Sequence, residues 1–135
     1  FIGESNFLEG DVVEVDEKGC LIELRGGLLL RSASRERSRG ERVVLAVRPE
    51  TLIVKRSWRD EPNSLRGQVK EKIFEGTNIR YEVRLENGDT IVIVQPTLIG
   101  EWLSSGEEVT IKFPAEQIFL FPYPSKGLRE EISLE

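Results

Sequence analysis

The sequence of 135 residues contains no histidine and no methionine, and its one cysteine is Cys20. Histidine is the commonest metal ligand and the side chain that titrates near neutral pH, so its absence removes the usual zinc ligand and the usual general base. A single cysteine excludes an internal disulfide and leaves no second sulfur for a metal. Because Cys20 lies beside Leu21 and Ile22, we expect a plain buried thiol.

Long apolar runs are missing as well. No run approaches the roughly 20 residues that cross a bilayer, and no basic segment followed by an apolar stretch opens the chain. The pattern predicts a soluble polypeptide that stays in the cytosol. Because the chain begins at Phe1 and carries no secretion signal, we expect a fragment of a longer protein.

Motifs that support catalysis are also missing. The sequence has no phosphate-binding Gly-rich loop, no Ser-His or Cys-His pairing and no metal-ligand spacing. The adjacent acids at 107–108 and 130–131 point to opposite sides of any strand, so they do not form a paired-carboxylate site. We therefore expect no enzymatic activity, metal or cofactor in this segment.

The charge balance opposes general binding of polyanions. The chain has 19 basic and 24 acidic residues, a net charge of −5, whereas nucleic-acid binders usually carry a basic face. The local exception is a cluster of arginines between Arg31 and Arg42, which is either a solvated loop or a surface for an acidic or phosphate-bearing partner. The abundance of Glu, Lys and Arg is typical of a heat-adapted source.

Short alternating or apolar runs recur at intervals of about eight to twelve residues, which is typical of an all-β sandwich or barrel. Each half of the chain contains five of them, the number that a small Greek-key barrel requires. The predicted strands are 12–15, 20–24, 28–30, 43–47 and 52–54, then 68–73, 79–85, 90–94, 109–113 and 118–121. The sequence therefore predicts an all-β fold with five strands in each half.

The second half repeats the first. Residues 40–54 align without a gap on 106–120, with four identities and five exchanges of one apolar residue for another. A repeat of this kind indicates a duplicated structural unit. We assign 1–56 to the first half, 57–64 to a connector, 65–124 to the second half and 125–135 to a polar tail.

Turn signals separate the predicted strands. Asn87-Gly88 between two alternating runs is a strong hairpin signal. The longer insertion at 95–105 places Leu98, Ile99 and Trp102 at helix-like spacing, which predicts a short capping helix or turn with Trp102 packed on the barrel.

The segment Arg48-Pro49-Glu50 places opposite charges at a bend that proline fixes. Arg48 can pair with a carboxylate and Glu50 can accept backbone N–H bonds. Two interpretations stay open, a structural staple and a role at an interface with another subunit. The matching segment of the second half is Pro114-Ala115-Glu116, so the charge pair is absent from one copy.

Four segments in register resemble a known family. They are FIGESNFL at 1–8, VRPE at 47–50, LRGQV at 65–69 and EGTNIRYEVRL at 75–85. In this order they are similar to the TOBE domain, the C-terminal extension of ATP-binding subunits of bacterial and archaeal ABC importers, which is itself similar to the molybdate-binding MOP-like fold. Gln95-Pro96 is nearest to the polyamine, ferric-iron and sulfate importer branch, although Thr97 stands where that branch has asparagine.

The resemblance implies a tandem of OB-fold barrels that exchange their last strands. It implies a regulatory and dimerisation domain that pairs two ATPase subunits as a homodimer, contacts permease subunits through the parent chain, and lies at the inner face of the cell membrane. ATP and Mg²⁺ would belong to the ATPase domain and not to this segment. No direct nucleic-acid contact is expected.

The resemblance also suggests residues for a subunit interface or for binding a small anion. They are Ser5, Asn6, Arg48, Glu50, Thr77 and Tyr81. An alternative function is a module that binds oxyanions of the molybdate and sulfate class, with Ser5, Asn6, Arg48 and Thr77 as donors. A remote alternative is a nucleic-acid-binding OB fold, for which Phe74, Arg80 and Tyr81 supply the aromatic and basic side chains.

Overall fold

The structure is a computed structural model that describes residues 4–98 and 102–124; the predicted tail at 125–135, the start of the chain at 1–3, and Ile99 lie outside them. The described residues form ten strands and three single 3₁₀ turns. The strands are β1 Asn6–Asp16, β2 Gly19–Leu24, β3 Leu29–Ser32, β4 Arg42–Val47, β5 Ile53–Arg56, β6 Ser64–Glu75, β7 Asn78–Leu85, β8 Thr90–Pro96, β9 Glu108–Lys112 and β10 Phe119–Pro122. The 3₁₀ turns are Arg25–Gly27, Pro49–Thr51 and Ala115–Gln117.

The strands form two antiparallel five-stranded sheets, and the predicted all-β class is confirmed. One sheet has the order β10-β4-β1-β2-β3 and the other the order β5-β9-β6-β7-β8. Strand β5 pairs with β9 of the second half, whereas β10 pairs with β4 of the first half. The two halves therefore exchange their final strands, as the resemblance implied.

The described residues divide into two compact units. Those of unit 1 lie within 1–47 and 115–135, and those of unit 2 lie within 48–114. The core of unit 1 includes Val12, Ile22, Leu30 and Leu45, and that of unit 2 includes Ile79, Tyr81, Val83, Ile111 and Phe113, all of them almost fully buried. Each unit thus has its own apolar core, completed in unit 1 by Leu120 of the exchanged strand β10, which is also buried.

The junction before β4 recurs before β9 with the same hydrogen bonds. Gly40 N donates to Val12 O at 2.7 Å, and Gly106 N donates to Val69 O at 2.7 Å. Serine amides bind the next acidic side chain in both copies: Ser38 N to Glu41 Oε1 at 3.0 Å and Ser104 N to Glu107 Oε1 at 2.9 Å. The repeat found at 40–54 and 106–120 is therefore a repeat of hydrogen bonding as well as of sequence.

The first strand of each half carries a second repeat, which the sequence analysis missed. Residues 4–12 and 61–69 share Glu, Asn, Leu, Gly and Val at alternate positions. Both strands change register one or two residues after the shared valine, at Val12/Glu14 and at Val69/Glu71. The shared glycines, Gly10 and Gly67, each lie so close to the neighbouring strand that a Cβ atom would contact backbone oxygen at 2.8 and 2.9 Å.

The predicted turns are partly confirmed. The Asn87-Gly88 hairpin joins β7 to β8, and Gly88 adopts the left-handed conformation with φ +90°, as in three-residue hairpin loops. In the insertion at 95–105 the described residues form no helix, and a turn lies at 97–98. The physical reason is that Thr97 binds the β6–β7 turn, its amide donating to Thr77 O and its hydroxyl to Gly76 O, which holds this segment against the hairpin.

In residues 4–98 and 102–124, no helix has the length and apolar character needed to cross a bilayer.

Candidate functional site

The turn Pro49–Thr51 opens unit 2 and carries the charge pair singled out in the sequence. Proline at its first position fixes φ, and the Thr51 amide and hydroxyl both donate to Arg48 O, at 3.1 and 2.7 Å. Arg48 Nε donates to Glu50 Oε2 at 2.9 Å. The two opposite charges are therefore held on one rigid turn.

The Arg48–Glu50 pair lies at the surface, with side chains 48% and 53% exposed. The hydrogen bond from Arg48, followed by a backbone hydrogen bond, lowers the pKa of Glu50 below its ordinary value of 4.5. Because solvent screens such a pair, its contribution to the free energy of unfolding is small, about 0–1 kcal/mol. The fold gains little from it.

The matching turn of the other half forms without a charge pair. Ala115–Gln117 is also a 3₁₀ turn before an exchanged strand, and Ile118 N donates to Ala115 O at 3.3 Å. Pro114 occupies the position of Arg48, while Glu116 keeps the position of Glu50. The turn and the exchange of strands therefore do not require the arginine.

Within unit 2, the Pro49–Thr51 turn packs against β8. Near the end of that strand, Gln95 Nε2 donates to the Tyr81 hydroxyl at 3.4 Å, and Leu103 N donates to the same hydroxyl at 3.0 Å. Tyr81 is fully buried. Its ring therefore packs in the core, and its hydroxyl positions the backbone beside Trp102.

The burial of Tyr81 also bears on the nucleic-acid alternative. A fully buried ring cannot stack on nucleotide bases, so Tyr81 is excluded as a base-stacking residue.

Thr77 lies in the turn between β6 and β7, where its carbonyl accepts the amide of Thr97 at 2.8 Å. Trp102 Nε1 then donates to Thr97 O at 2.9 Å. Through these bonds the turn at Thr77, the end of β8 and Trp102 are held together.

These contacts support an exposed apolar surface, the hairpin-tip surface, formed by Phe74 and Trp102. Ile73, next to Phe74 in the chain, and Leu98, next to Thr97, are also exposed. The Phe74 and Trp102 rings meet edge to face, with centroids 5.0 Å apart, and Lys72 Nζ lies 5.5 Å from the Phe74 centroid. Phe74 is 51% exposed and Trp102 47%. The sequence had placed Trp102 against the barrel, and the structure leaves nearly half of it in solvent.

Ser5 and Asn6 belong to unit 1. Asn6 is 8% exposed and lies opposite Val47 in the β1–β4 ladder, and Ser5 is partly exposed. Of the six candidate residues, Arg48 and Glu50 are in direct contact, and Thr77 and Tyr81 are linked through the end of β8. Ser5 and Asn6 lie in the other compact unit.

The arginine cluster is largely neutralised by ion pairs. Arg31 pairs with Asp16 at 3.1 Å, Arg37 with Glu41 at 3.1 Å, and Arg42 with Glu9 and Asp11 at 3.3 Å. In the described part of the chain, Arg35 and Arg39 are exposed and make no such pair. This pattern favours the solvated loop over a strongly basic docking surface.

Among the residues that the structure describes, no three acidic, cysteine or histidine side chains converge on a position that could hold a metal ion. Cys20 is free and buried in unit 1.

The TOBE domain family matches residues 45–121 of the chain. That match includes the Pro49–Thr51 turn, β5 to β9, and β10 except its last residue.

Similar proteins include ATP-binding subunits of importers. The chain is 30% identical over 118 residues to the spermidine/putrescine import ATP-binding protein PotA of Ruegeria pomeroyi, covering 86% of this chain and 31% of that protein. It is 35% identical over 92 residues to PotA of Thermotoga maritima, covering 65% and 25%. It is 28% identical over 123 residues to the Fe(3+) ions import ATP-binding protein FbpC of Fusobacterium nucleatum, covering 90% and 31%. The chain thus spans between a quarter and a third of these relatives' length.

Among solved structures, the cytoplasmic molybdate-binding protein ModG with molybdate bound has a similar fold. The TM-score is 0.74 at 22% sequence identity, and the match covers 88% of this chain and 96% of that protein. This likeness shows that the fold is MOP-like.

Proposed function

Since the chain belongs to the TOBE domain family, we propose that it is a non-catalytic regulatory and dimerisation domain of an ATP-binding subunit of an ABC importer. Its parent chain would supply the ATPase domain, with ATP and Mg²⁺ bound there, and would contact the permease subunits at the inner face of the cell membrane. Relatives are named for the import of spermidine and putrescine, of Fe(3+) ions, and of sulfate or thiosulfate, and these names support a substrate of one of these classes for the parent transporter.

The pairing role is proposed from the exposed Arg48–Glu50 pair, because the matching turn Ala115–Gln117 of the other half forms without an arginine at the position of Arg48. A two-fold interface brings the same patch of both subunits together, so a patch must be complementary to itself. Adjacent positive and negative charges meet this requirement, because Arg48 of each copy can pair with Glu50 of the other. The cost of separating the existing pair is small, since both side chains are about half exposed.

The hairpin-tip surface adds apolar area to the same unit. Half-exposed Phe74 and Trp102 are the residue types that interfaces enrich. Thr77 and the buried Tyr81 support this surface through Thr97 and Leu103. We assign the contact energy of the proposed interface to these aromatic side chains, and its register to Arg48 and Glu50.

Charge reversal tests the pairing role. Sedimentation velocity of the chain at high concentration should show self-association that Arg48→Glu weakens by about three- to tenfold, because the introduced carboxylate then faces Glu50 of the partner. The double variant Arg48→Glu/Glu50→Arg should restore it. The matched control is Glu116→Arg in the turn that lacks the pair, which should leave association unchanged. A strictly monomeric chain, or association that ignores all three variants, contradicts the proposed interface.

Oxyanion binding is the second candidate, favoured by the similarity in fold to ModG, a molybdate-binding protein. The donors proposed for it from the sequence are Ser5, Asn6, Arg48 and Thr77. Calorimetry of the chain with molybdate, tungstate and sulfate tests this function. Heat that disappears in an Asn6→Ala variant supports it, and no heat with any of the three anions removes it.

A further inference from the structure

A groove of about 560 Å³ lies on unit 2, on the exposed side of β6 and β7, and none of the six candidate residues lines it. Its lining includes Trp58, Gln68, Lys70, Arg84, Glu86 and Gly88. The volume is within the range of about 300–1,000 Å³ that small-molecule sites occupy. The groove is therefore large enough for a ligand the size of a nucleotide.

Trp58 supplies a fixed aromatic wall. Its Nε1 donates to Gly67 O at 3.3 Å, and the Arg66 guanidinium lies 5.2 Å from the ring centroid. The residue is nevertheless 45% exposed. An indole anchored by a hydrogen bond and a cation, with much of its surface in solvent, is suited to stacking on a planar ligand.

Two cations line the same groove. Arg84 lies opposite Gln68 in the β6–β7 ladder, and its side chain makes no hydrogen bond or ion pair in residues 4–98 and 102–124. Lys70 Nζ donates to Gln68 Oε1 at 2.9 Å, which leaves two of its three N–H groups for a ligand. A guanidinium can bind phosphate through two parallel hydrogen bonds, and an ammonium can add a point charge.

The rim of the groove is preformed. Asn87 and Asp89 bind each other, Nδ2 to Oδ2 at 3.0 Å and Oδ1 from the Asp89 amide at 3.0 Å, and Gly88 N donates to Leu85 O. The Glu86 amide donates to Arg66 O, which ties the turn to the strand beneath Trp58. A ligand would therefore meet a site whose backbone needs little ordering on binding.

From this arrangement we propose that the groove binds a nucleoside monophosphate. The base stacks on Trp58, and the phosphate binds Arg84 and Lys70. Glu86, the one carboxylate among the lining residues named above, accepts a hydrogen bond from an amino group of the base. The proposal is independent of the pairing role, because it uses none of Arg48, Glu50 or the hairpin-tip surface.

An NMR titration of the chain with AMP tests the proposal. The chain has two tryptophans, so its ¹⁵N spectrum shows two indole signals, and Trp58→Phe identifies that of Trp58. AMP should shift the Trp58 signal and leave the Trp102 signal in place, with a dissociation constant of roughly 0.1–1 mM for an open site. Arg84→Gln should weaken binding about tenfold, whereas Arg35→Gln, a control that also removes an exposed unpaired arginine, should not.

Titrations with adenosine and with inorganic phosphate measure the contributions of the base and the phosphate to binding separately. Adenosine should bind about tenfold more weakly than AMP, and phosphate alone should not move the Trp58 signal. The proposal would be overturned by the absence of any shift at about 10 mM AMP, by equal shifts of both indole signals, or by unchanged binding in Arg84→Gln. It would also be overturned if a thymidine oligonucleotide bound about a hundredfold more tightly than AMP, because that result would indicate a surface for single-stranded nucleic acid.

Discussion

The buried hydroxyl of Ser32 donates to the carbonyl oxygen of Ile118 at 2.7 Å, across 86 positions of the chain. Ser32 ends β3 of the first half, and Ile118 leads into the exchanged strand β10. Ala33 N donates to Ala115 O beside it, at 3.0 Å. These two bonds hold residues 115–118, which precede β10, against the end of β3. They add to the hydrogen bonds of the β10–β4 ladder.

Replacing Ser32 with alanine should therefore loosen the exchanged strand. The substitution leaves the buried carbonyl oxygen of Ile118 without its hydrogen-bond donor, which should lower the free energy of unfolding by about 1–2 kcal/mol. Urea denaturation measures the change. Ser34→Ala is the control, because its hydroxyl accepts a long 3.4 Å bond near the surface, and it should change the free energy by less than about 0.5 kcal/mol. Equal effects of the two variants would contradict the role of Ser32.

The shared glycines of β1 and β6 should both resist substitution. In Gly10→Ala the new Cβ would lie 2.5 Å from Ile22 Cγ2 and 2.8 Å from Glu23 O; in Gly67→Ala it would lie 2.7 Å from Val83 Cγ1 and 2.9 Å from Arg84 O. Because backbone oxygen cannot move away freely, each variant should lose about 1–3 kcal/mol of unfolding free energy.

Gly76→Asn is the control for these glycines. Gly76 has φ +72° and open space around the Cβ position, and asparagine tolerates the left-handed region. Thermal denaturation should show a smaller loss for this variant than for either alanine. A Gly10→Ala protein as stable as the original would mean that β1 and β2 do not approach as closely as described.

Loss of the Tyr81 hydroxyl should lower the free energy of unfolding and change the environment of the Trp102 indole. Tyr81→Phe leaves the Leu103 amide without its 3.0 Å acceptor in the core, which should cost about 1–2 kcal/mol. The indole NMR signal of Trp102, next to Leu103, should shift while that of Trp58 stays. Tyr123→Phe, at a partly exposed position, is the matched control. Unchanged stability and an unchanged Trp102 signal in Tyr81→Phe would contradict the proposed support of the hairpin-tip surface.

Glu41 should contribute to the loss of unfolding free energy at acid pH. The Ser38 amide, and then the Arg37 side chain, lower the pKa of Glu41 below its ordinary value of 4.5. The unfolded chain therefore binds this proton at a higher pH than the folded chain does, so the stabilisation is present above about pH 4.5 and is lost as pH falls through the folded-state pKa.

Glu41→Gln should accordingly be less stable than the original protein near pH 7, and the difference should shrink below about pH 4.5. Melting temperatures of the two proteins from pH 7 to pH 3 measure this. A difference that stays constant over that range would show that the carboxylate charge has no part in the effect.

Much of the fold could be predicted from the sequence because alternation reports which face of a strand is buried. Ile79, Tyr81 and Val83 share one face of β7, so the burial of Tyr81 could have been inferred from the same pattern that predicted the strand. The exchange of final strands could not, because β5 and β10 have similar short apolar patterns and either could pair with β4 or β9. That expectation came from the family resemblance.

The groove on unit 2 escaped sequence reasoning for a different reason. Trp58 lies in the polar connector, Lys70 in β6, and Arg84 in β7, and only the β6–β7 register brings the two cations to one face. The charge pair at Arg48 and Glu50 was accessible because its residues are two apart and joined by proline. A site whose residues are close together in the sequence could therefore be predicted, whereas a site assembled by strand pairing could not.

Pairing of ATP-binding subunits through this chain is tested most directly by sedimentation equilibrium of the parent subunit, without ATP, with and without residues 4–124. We predict self-association at least about tenfold weaker in the truncated subunit, with ATP hydrolysis per binding site retained once the subunits are concentrated enough to pair. Equal self-association of the intact and truncated subunits would contradict the pairing role.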